Sequence, residues 1–509
     1  MAKKRLSKKH KNNKVKKIKS HGIFLANETT HQIQINELNS NHVSLCALAP
    51  VIEDKKVFEP IYNNVMIPQK KLLYSPTDKL VFLTLGIMSG MQTVYDINQT
   101  VRVDQALLKA FGYKKCADQS VIQETLNATI QENIQQMESA LKTIWDQNNL
   151  TVSLLEKAQK ENKPLTIDID LSGHIASKNA EQSKKGYFSS KKNAYGRQLA
   201  RVLVPDTQEI VAESLYPGNT VSWDNAVFKA MIAKMEHNLC IQTKSQRSSI
   251  RLRLDGGFGT DKNINHALWG GYQLLTKMRC SGRARKLSQS VTQWVDIPSD
   301  SENNPRQAGW VTKPYRYSKK TKQLAIRKTT KKGYTYSVLV VTDLNADLMT
   351  VVTDYDARGG TPENSFCQDS QGLSSRKRRK RSFLAQQMLM LLNQLAHNII
   401  RWMQNWLVNA VEQFATEPDA SSVESPEDTS LVVKTLKERG MKRFVRQLLS
   451  LRGKVIMKDQ RICKVVFNPL YPLINRIITA FRALLKPYGI IVSLDEILEF
   501  KIMQALHLH

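Results

Sequence analysis

The spacing of apolar residues changes character several times along the 509-residue chain. From Ser75 to Leu141 they recur at helical spacing. Asp104–Phe111 predicts a short helix that stops at Gly112. A second helix is expected to start near Ser120, with Ser120-Val-Ile-Gln123 as a capping box. Two helices joined by a short Gly-containing turn have the form of a helix-turn-helix, although an ordinary helical hairpin is the commoner use of that form. Residues 21–65 show only short mixed apolar runs.

After Asn162-Lys-Pro164 the period shortens to that of a strand. Leu165–Ser172 predicts a strand on which Asp168 and Asp170 share a face. Arg197–Val204 and Glu209–Leu215 predict a hairpin across Pro205-Asp206-Thr207. Trp223–Asn238 reads as a helix, and Ser249–Asp255 and Tyr272–Met278 as strands with a helical segment between them. Residues 281–345 are punctuated by Gly, Pro and Ser, with β-like runs at Thr292–Ile297, Gln323–Lys328 and Tyr334–Thr342. Leu348–Tyr355 reads as a strand again, and Glu363–Phe414 as largely helical. Strands, a helix and more strands imply an α/β core with a mixed sheet. The apolar helix Phe383–Leu407 carries Gln386, Asn393, Gln394, His397, Asn398 and Arg401, a polar load that predicts a core helix and no membrane association.

Charge narrows the partner. Lys and Arg number 75 against 45 Asp and Glu, a formal charge of +30. Residues 1–20 hold ten of those cations and no acid, which predicts a disordered basic tail, and the remainder still carries +20. A polyanion, held through counterion release, is the expected partner. Six scattered cysteines without a CxxC pair, and an N-terminus with no apolar signal core, point to a reduced, cytoplasmic (nucleoid-associated) protein. His237 and Cys240 lie one helical turn apart, but no second pair has zinc-like spacing.

Three acids end or open predicted elements: Asp170, Asp255 and Glu363. Carboxylates so distributed can converge on one pair of divalent metals and serve phosphoryl transfer. Hard oxygen ligands favour Mg²⁺, with Mn²⁺ as substitute. Asp255 is followed by Gly-Gly-Phe-Gly259, small residues that let a phosphate approach the backbone. Tyr355-Asp-Ala-Arg358 supplies a phenol and a guanidinium able to grip a phosphate bidentately.

Asp170-Leu-Ser172, Arg253-Leu-Asp255-Gly-Gly-Phe-Gly259, Tyr355-Asp-Ala-Arg358 and Glu363 together resemble the DDE transposases of bacterial insertion sequences. The strings Phe383-Leu-Ala-Gln-Gln and Leu395-Ala-His-Asn398 resemble the helix that follows the family's Glu. The resemblance covers roughly residues 160–410. It implies a ribonuclease H-like mixed sheet core with a β-rich insertion between the second Asp and the Glu, preceded by a helical N-terminal domain. It further implies that Asp170, Asp255 and Glu363 hold two metals and that Tyr355, Arg358, Arg376 and Lys377 hold DNA phosphates. Trp294 or Trp310 would stack on a flipped base. The partners implied are double-stranded DNA, as terminal inverted repeats and target, and a second copy in a synaptic homodimer.

The expected organisation is a basic tail (1–20), a mainly helical DNA-binding region (21–160) and the first part of the core (161–280). The β-rich insertion (281–345), the end of the core with the Glu helix (346–414), an acidic linker (415–430) and a C-terminal region (431–509) follow. The sequence departs from the family pattern Tyr-x2-Arg-x3-Glu-x6-Lys at two points. Four residues separate Arg358 from Glu363, and Ser370 stands where Lys is usual. Arg376–Arg381, expected on the same helix as Glu363, could supply the missing cation. The alternatives left open are an active variant, an inactive domesticated DNA-binding copy, and a nuclease that cuts without joining. Asp168 is the alternative first ligand, Asp170 being preferred because it ends the predicted strand. His174 is expected to be a loop residue.

Overall fold

The computed structural model describes residues 35–69, 73–188, 191, 193–299, 304–359, 362–414, 426–471 and 473–495. The basic tail 1–20 and residues 415–425 of the expected linker lie outside them. The linker is also shorter than expected, because a helix, Pro426–Lys437, already covers 426–430.

The first described element is a strand, β1 (Ile35–Ser40), followed by the helices Val43–Asp54 and Glu59–Asn64 in the stretch that carried no readable pattern. Five further helices run to Glu161. The helices Gln105–Ala110 and Gln119–Asn127 exist as expected, but the second is capped by Asp118, whose side chain accepts from the Ser120 N–H, so Ser120 is not the cap. An Asp one residue outside the helix fills the same role with a charge favoured by the helix N-terminus. The first of the pair packs on β1 and Val43–Asp54, the second on Pro76–Met88 and Phe383–Phe414.

The central sheet contains β2 (Leu165–Ile175), β3 (Lys184–Lys185), β4 (Tyr195–Val204), β5 (Glu209–Pro217), β6 (Ile250–Leu254) and β7 (Gln273–Lys277). It continues through β8 (Val295–Ile297), β9 (Arg306–Trp310), β10 (Lys322–Thr330) and β11 (Gly333–Val341). Its heart is β5-β4-β2-β6-β7, with β4 antiparallel to β2, and β6 and β7 parallel to it. That order and those directions are the ribonuclease H-like core. The expected insertion is β-rich but opens with a helix, Ser281–Ser288, and adds strand β9, which the Gly-containing run Arg306-Gln-Ala-Gly-Trp310 had concealed. It is also no separate body: β11 pairs antiparallel with β7, so the inserted strands prolong the core sheet.

Strand β2 runs on to Ile175, because β4 pairs with it from Asp168 to Ile175. Asp170 therefore lies mid-strand, and His174 is a buried strand residue and no loop residue. Leu348–Tyr355 is not a strand; Leu348–Asp356 is a helix. Its β-branched residues suggest a strand, but Asp347 caps it through the Thr350 N–H, and Val351 and Val352 bury one face against the inserted strands, which overrides propensity. The expected helix from Glu363 to Phe414 is two, Pro362–Gly372 and Phe383–Phe414. Arg376–Arg381 forms the connection between them and not a helical face.

The 32-residue helix Phe383–Phe414 is the spine of the molecule, packing on β5, on three N-terminal helices and on Pro426–Lys437 and Ile474–Leu485. Several of its polar residues are buried and partnered: Asn398 bonds the Ile210 backbone, Gln404 the Leu436 carbonyl and Trp402 the Glu209 carboxylate. Among the described residues no helix is long and apolar enough to cross a membrane. After the spine the chain returns to its start. β12 (Gly453–Lys458), β13 (Arg461–Phe467) and β14 (Ile491–Leu494) form a second sheet in the order β1-β12-β13-β14, so both ends of the described chain share one sheet.

Candidate active site

The registers of β2 and β6 bring two of the acids side by side. Asp168 pairs with Arg253 and Ile169 with Leu254 across the parallel strands. Asp170 and Asp255 each follow directly on the last paired positions, near enough that the Asp255 charge raises the Asp170 pKa. They also share a face, since the residues two positions back, Asp168 and Arg253, meet on it as a bidentate pair with both contacts at 2.7 Å. That pair occupies both oxygens of Asp168, which is fully buried. Asp255 follows the last residue of β6, where its Oδ1 accepts the Phe258 N–H at 3.1 Å. A side chain at Gly257 would collide with that carboxylate and with the Ser222 hydroxyl.

On the other flank Asp170 faces Arg201 of β4. Arg201 is buried and donates to Glu213 at 2.6 Å, to the Ser365 hydroxyl and to Asp369, both at 2.5 Å. Ser365 and Asp369 belong to the helix Pro362–Gly372, which carries Glu363 in its first turn, so Arg201 clamps the Glu363 helix over β2. His397 closes the network: one ring nitrogen meets Asp369 at 2.7 Å and the other the Gln208 carbonyl at 2.8 Å. Burial pulls the His397 pKa down. Burial alone would lift Asp369, but His397 and Arg201 outweigh it and hold Asp369 at about 2.

Arg251 and Arg253 prove to be anchors. Arg251 bonds the Asp354 carboxylate and Arg253 the Asp354 carbonyl, each at 2.7 Å. They fix the end of the helix Leu348–Asp356, and with it Tyr355 and Arg358, against the sheet. Arg358 is buried, and its Nη2 lies 3.2 Å from Asp170 Oδ1. Among the described residues its Nε and Nη2 have no hydrogen-bond acceptor. Burial opposes its charge, but Asp170 and Asp255 outweigh that and raise its pKa. Burial also raises the Tyr355 hydroxyl, which stays protonated. Arg376 reaches the same face of β2, donating to Ser172 at 2.9 Å, whereas Lys377 turns to Gln92 of the N-terminal region at 2.6 Å. Arg358 thus comes from a helix end, and Arg376 from the connection beyond the Glu363 helix.

Burial, first of all, and then the charges of Asp255 and Glu363 push the Asp170 pKa up to about 6 against the pull of Arg358. A buried carboxyl that also meets the charges of two further acids is favoured by a nearby cation. Among the described residues no group of three or more His, Cys, Asp or Glu side chains is gathered to metal-holding distances. Arg358 is the present counter-charge. The donor chemistry, hard carboxylate oxygens, suits a divalent cation of the Mg²⁺ class.

A family model described as Transposase DDE domain group 1 matches residues 56–419. The chain belongs to this family. The transposase is also similar to a piggyBac transposase, solved by cryo-EM as a synaptic complex with hairpin DNA, at 11% identity and a TM-score of 0.40. The match covers 82% of this chain and 87% of that one. No match was found among curated proteins.

Of the other candidate residues in the transposase, Trp294 packs against the main core and Trp310 against the smaller cluster beneath the inserted strands. Arg327 lies 4.3 Å from the Trp294 ring centre and Lys322 3.8 Å from that of Trp310. Sequence reading missed Arg201, Glu213, Asp369 and His397. The available signal was the presence of Arg201 and Glu213 within otherwise apolar strands, since a charge in a buried strand requires a partner.

The raised Asp170 pKa has a consequence for stability without metal. A carboxyl raised from 3.8 to about 6 on folding contributes stability below about pH 4, which is lost as pH rises through about 6. The difference at neutral pH is on the order of 3 kcal/mol at most. The metal-free transposase is expected to gain resistance to urea between pH 7 and pH 5, and Asp170→Asn to lose most of that gain. An unchanged pH dependence in the variant would contradict it.

Proposed function

We propose that the chain is an insertion-sequence transposase that binds terminal inverted repeats, hydrolyses the strand at each element end and joins the freed 3′-hydroxyl to target DNA. The observation that carries this reading is the buried Arg358 guanidinium, ion-paired with Asp170 and within the field of Asp255. Asp170, Asp255 and Glu363 would hold Mg²⁺, or Mn²⁺ in its place, which supplies charge stabilisation and an activated oxygen nucleophile when bound. Arg358 would take the terminal phosphate through its guanidinium N–H groups. Tyr355, protonated at any working pH, would donate to the same phosphate. Arg376 approaches from the Ser172 side and takes the part of the cation absent at Ser370. Lys377, with residues 21–160, would follow the duplex away from the cut, and Trp294 and Trp310 would meet bases along the inserted strands. Two ends must be joined together, so a homodimer on double-stranded DNA is the working assembly.

The test is cleavage and joining on duplexes carrying the DNA sequences that flank the gene, with Mg²⁺ or Mn²⁺. Binding without cutting would leave the inactive-copy reading, and cutting without joining the nuclease reading. Within an active protein, Arg358→Ala is expected to lower strand transfer at least about 100-fold while duplex affinity falls less than about threefold, because one phosphate contact is a small part of a large electrostatic total. Normal joining by the variant would remove Arg358 from the phosphate.

A further inference from the structure

Trp223 is 47% exposed, an uncommon setting for the largest apolar side chain. It precedes Asp224, the cap of the helix Asn225–Asn238. The Arg279 guanidinium lies over its ring, 3.7 Å from the ring centre. The segments that carry them border the loop that follows Asp255 from two sides. On one side Ser222, the neighbour of Trp223, crowds Gly257. On the other the Arg279 N–H donates to the Gly259 carbonyl at 2.9 Å, and the Lys277 carbonyl leaves no room for a side chain at Gly259. The loop from Asp255 to Gly259 is thus flanked by an indole and two exposed cations, Lys277 and Arg279. Trp294 and Trp310, in contrast, pack against apolar clusters.

We propose that Trp223 and Arg279 form a platform for an unpaired nucleotide of the DNA strand beside Asp255. An indole framed by cations suits a ligand that is both flat and anionic. In a paired duplex the base faces are covered by stacking, so the occupant is an unpaired nucleotide: its base stacks on Trp223 and its phosphates lie towards Arg279 and Lys277. The covered indole face explains why Arg279 is there, since a guanidinium on the ring orients it and leaves the remaining surface for the base. The proposal rests on the transposase reading of the preceding section for the strand's presence at Asp255.

The test uses the full chain without metal and fluorescence anisotropy on two labelled probes, a blunt duplex and the same duplex with a short unpaired thymidine overhang. The wild type is expected to prefer the overhang by about 5- to 100-fold, the range of one base–aromatic stack. Trp223→Ala is expected to bring that preference to within about twofold, Trp223→Phe to keep most of it, and blunt-duplex affinity to stay unchanged in both. Unchanged blunt-duplex binding also shows that the variants fold. A wild type with no preference, or a Trp223→Ala variant that keeps it, would overturn the platform. Cleavage and joining are scored separately with Mg²⁺. A protein that never cuts yet shows the Trp223-dependent preference sinks the transposition reading alone. One that cuts and joins without the preference sinks the platform alone.

Discussion

Asp255→Asn is expected to lower DNA cleavage by about three orders of magnitude or more while leaving DNA affinity within about twofold. The substitution removes one negative charge and little else. The Asn carbonyl keeps the bond from the Phe258 N–H, so the glycine loop holds its shape. The contact that defines this face, Asp168 with Arg253, lies two residues back along both strands and is untouched. DNA affinity is set by the distributed positive charge of the whole chain, to which one carboxylate is a minor term. The measurement is single-turnover cleavage in Mg²⁺ beside an equilibrium binding curve on the same duplex. Cleavage at more than a tenth of the wild-type rate would remove Asp255 from the metal site. A joint loss of cleavage and binding would mean that the loop had collapsed.

Arg201→Leu is expected to have the largest effect on stability, about 3–5 kcal/mol, because it strands two buried carboxylates. Glu213 and Asp369 both meet Arg201, and neither is exposed to water. Burial already lifts Glu213 to about 7, so loss of the cation leaves it protonated and leaves Asp369 dependent on His397. The same change unfastens the Glu363 helix at Ser365 and Asp369, so cleavage is expected to fall even under conditions where the protein stays folded. Urea unfolding monitored by circular dichroism reads the first effect, and cleavage at low temperature the second. Adding Glu213→Leu and Asp369→Leu is expected to recover part of the stability, since apolar residues carry no stranded charge, but not the cleavage. A single variant as stable as wild type would show that the network contributes nothing to the fold.

Much of the core was legible without the fold. Alternation in Leu165-Thr-Ile-Asp-Ile-Asp170, and the apolar runs on either side of Pro205-Asp206-Thr207, mark strands, because both signals are local to the segment. The order Asp170, Asp255, Tyr355, Arg358, Glu363 carried the family resemblance, and the family match over residues 56–419 agrees with it. The failures were local signals outweighed by distant contacts. Leu348–Asp356 has strand-like residues but a helical burial face, which exists only once the inserted strands lie beneath it. Arg376–Arg381 reads as a helical continuation, yet Arg197 binds the carbonyls of Lys380 and Arg381, and Arg378 that of Met91, which holds the run out of a helix. The pairing of β1 with β12 joins segments more than 400 residues apart, and no local periodicity encodes such a partner. The sequence by itself determined the chemical types available, acids, guanidinium and glycines in a recognisable order. Tertiary structure decided which of them meet: the β2–β6 register spent Asp168 on Arg253, and Arg201 of β4 holds the Glu363 helix in place. Register and long-range ion pairs come from the whole sheet closing at once, and that closure is not written in any one segment.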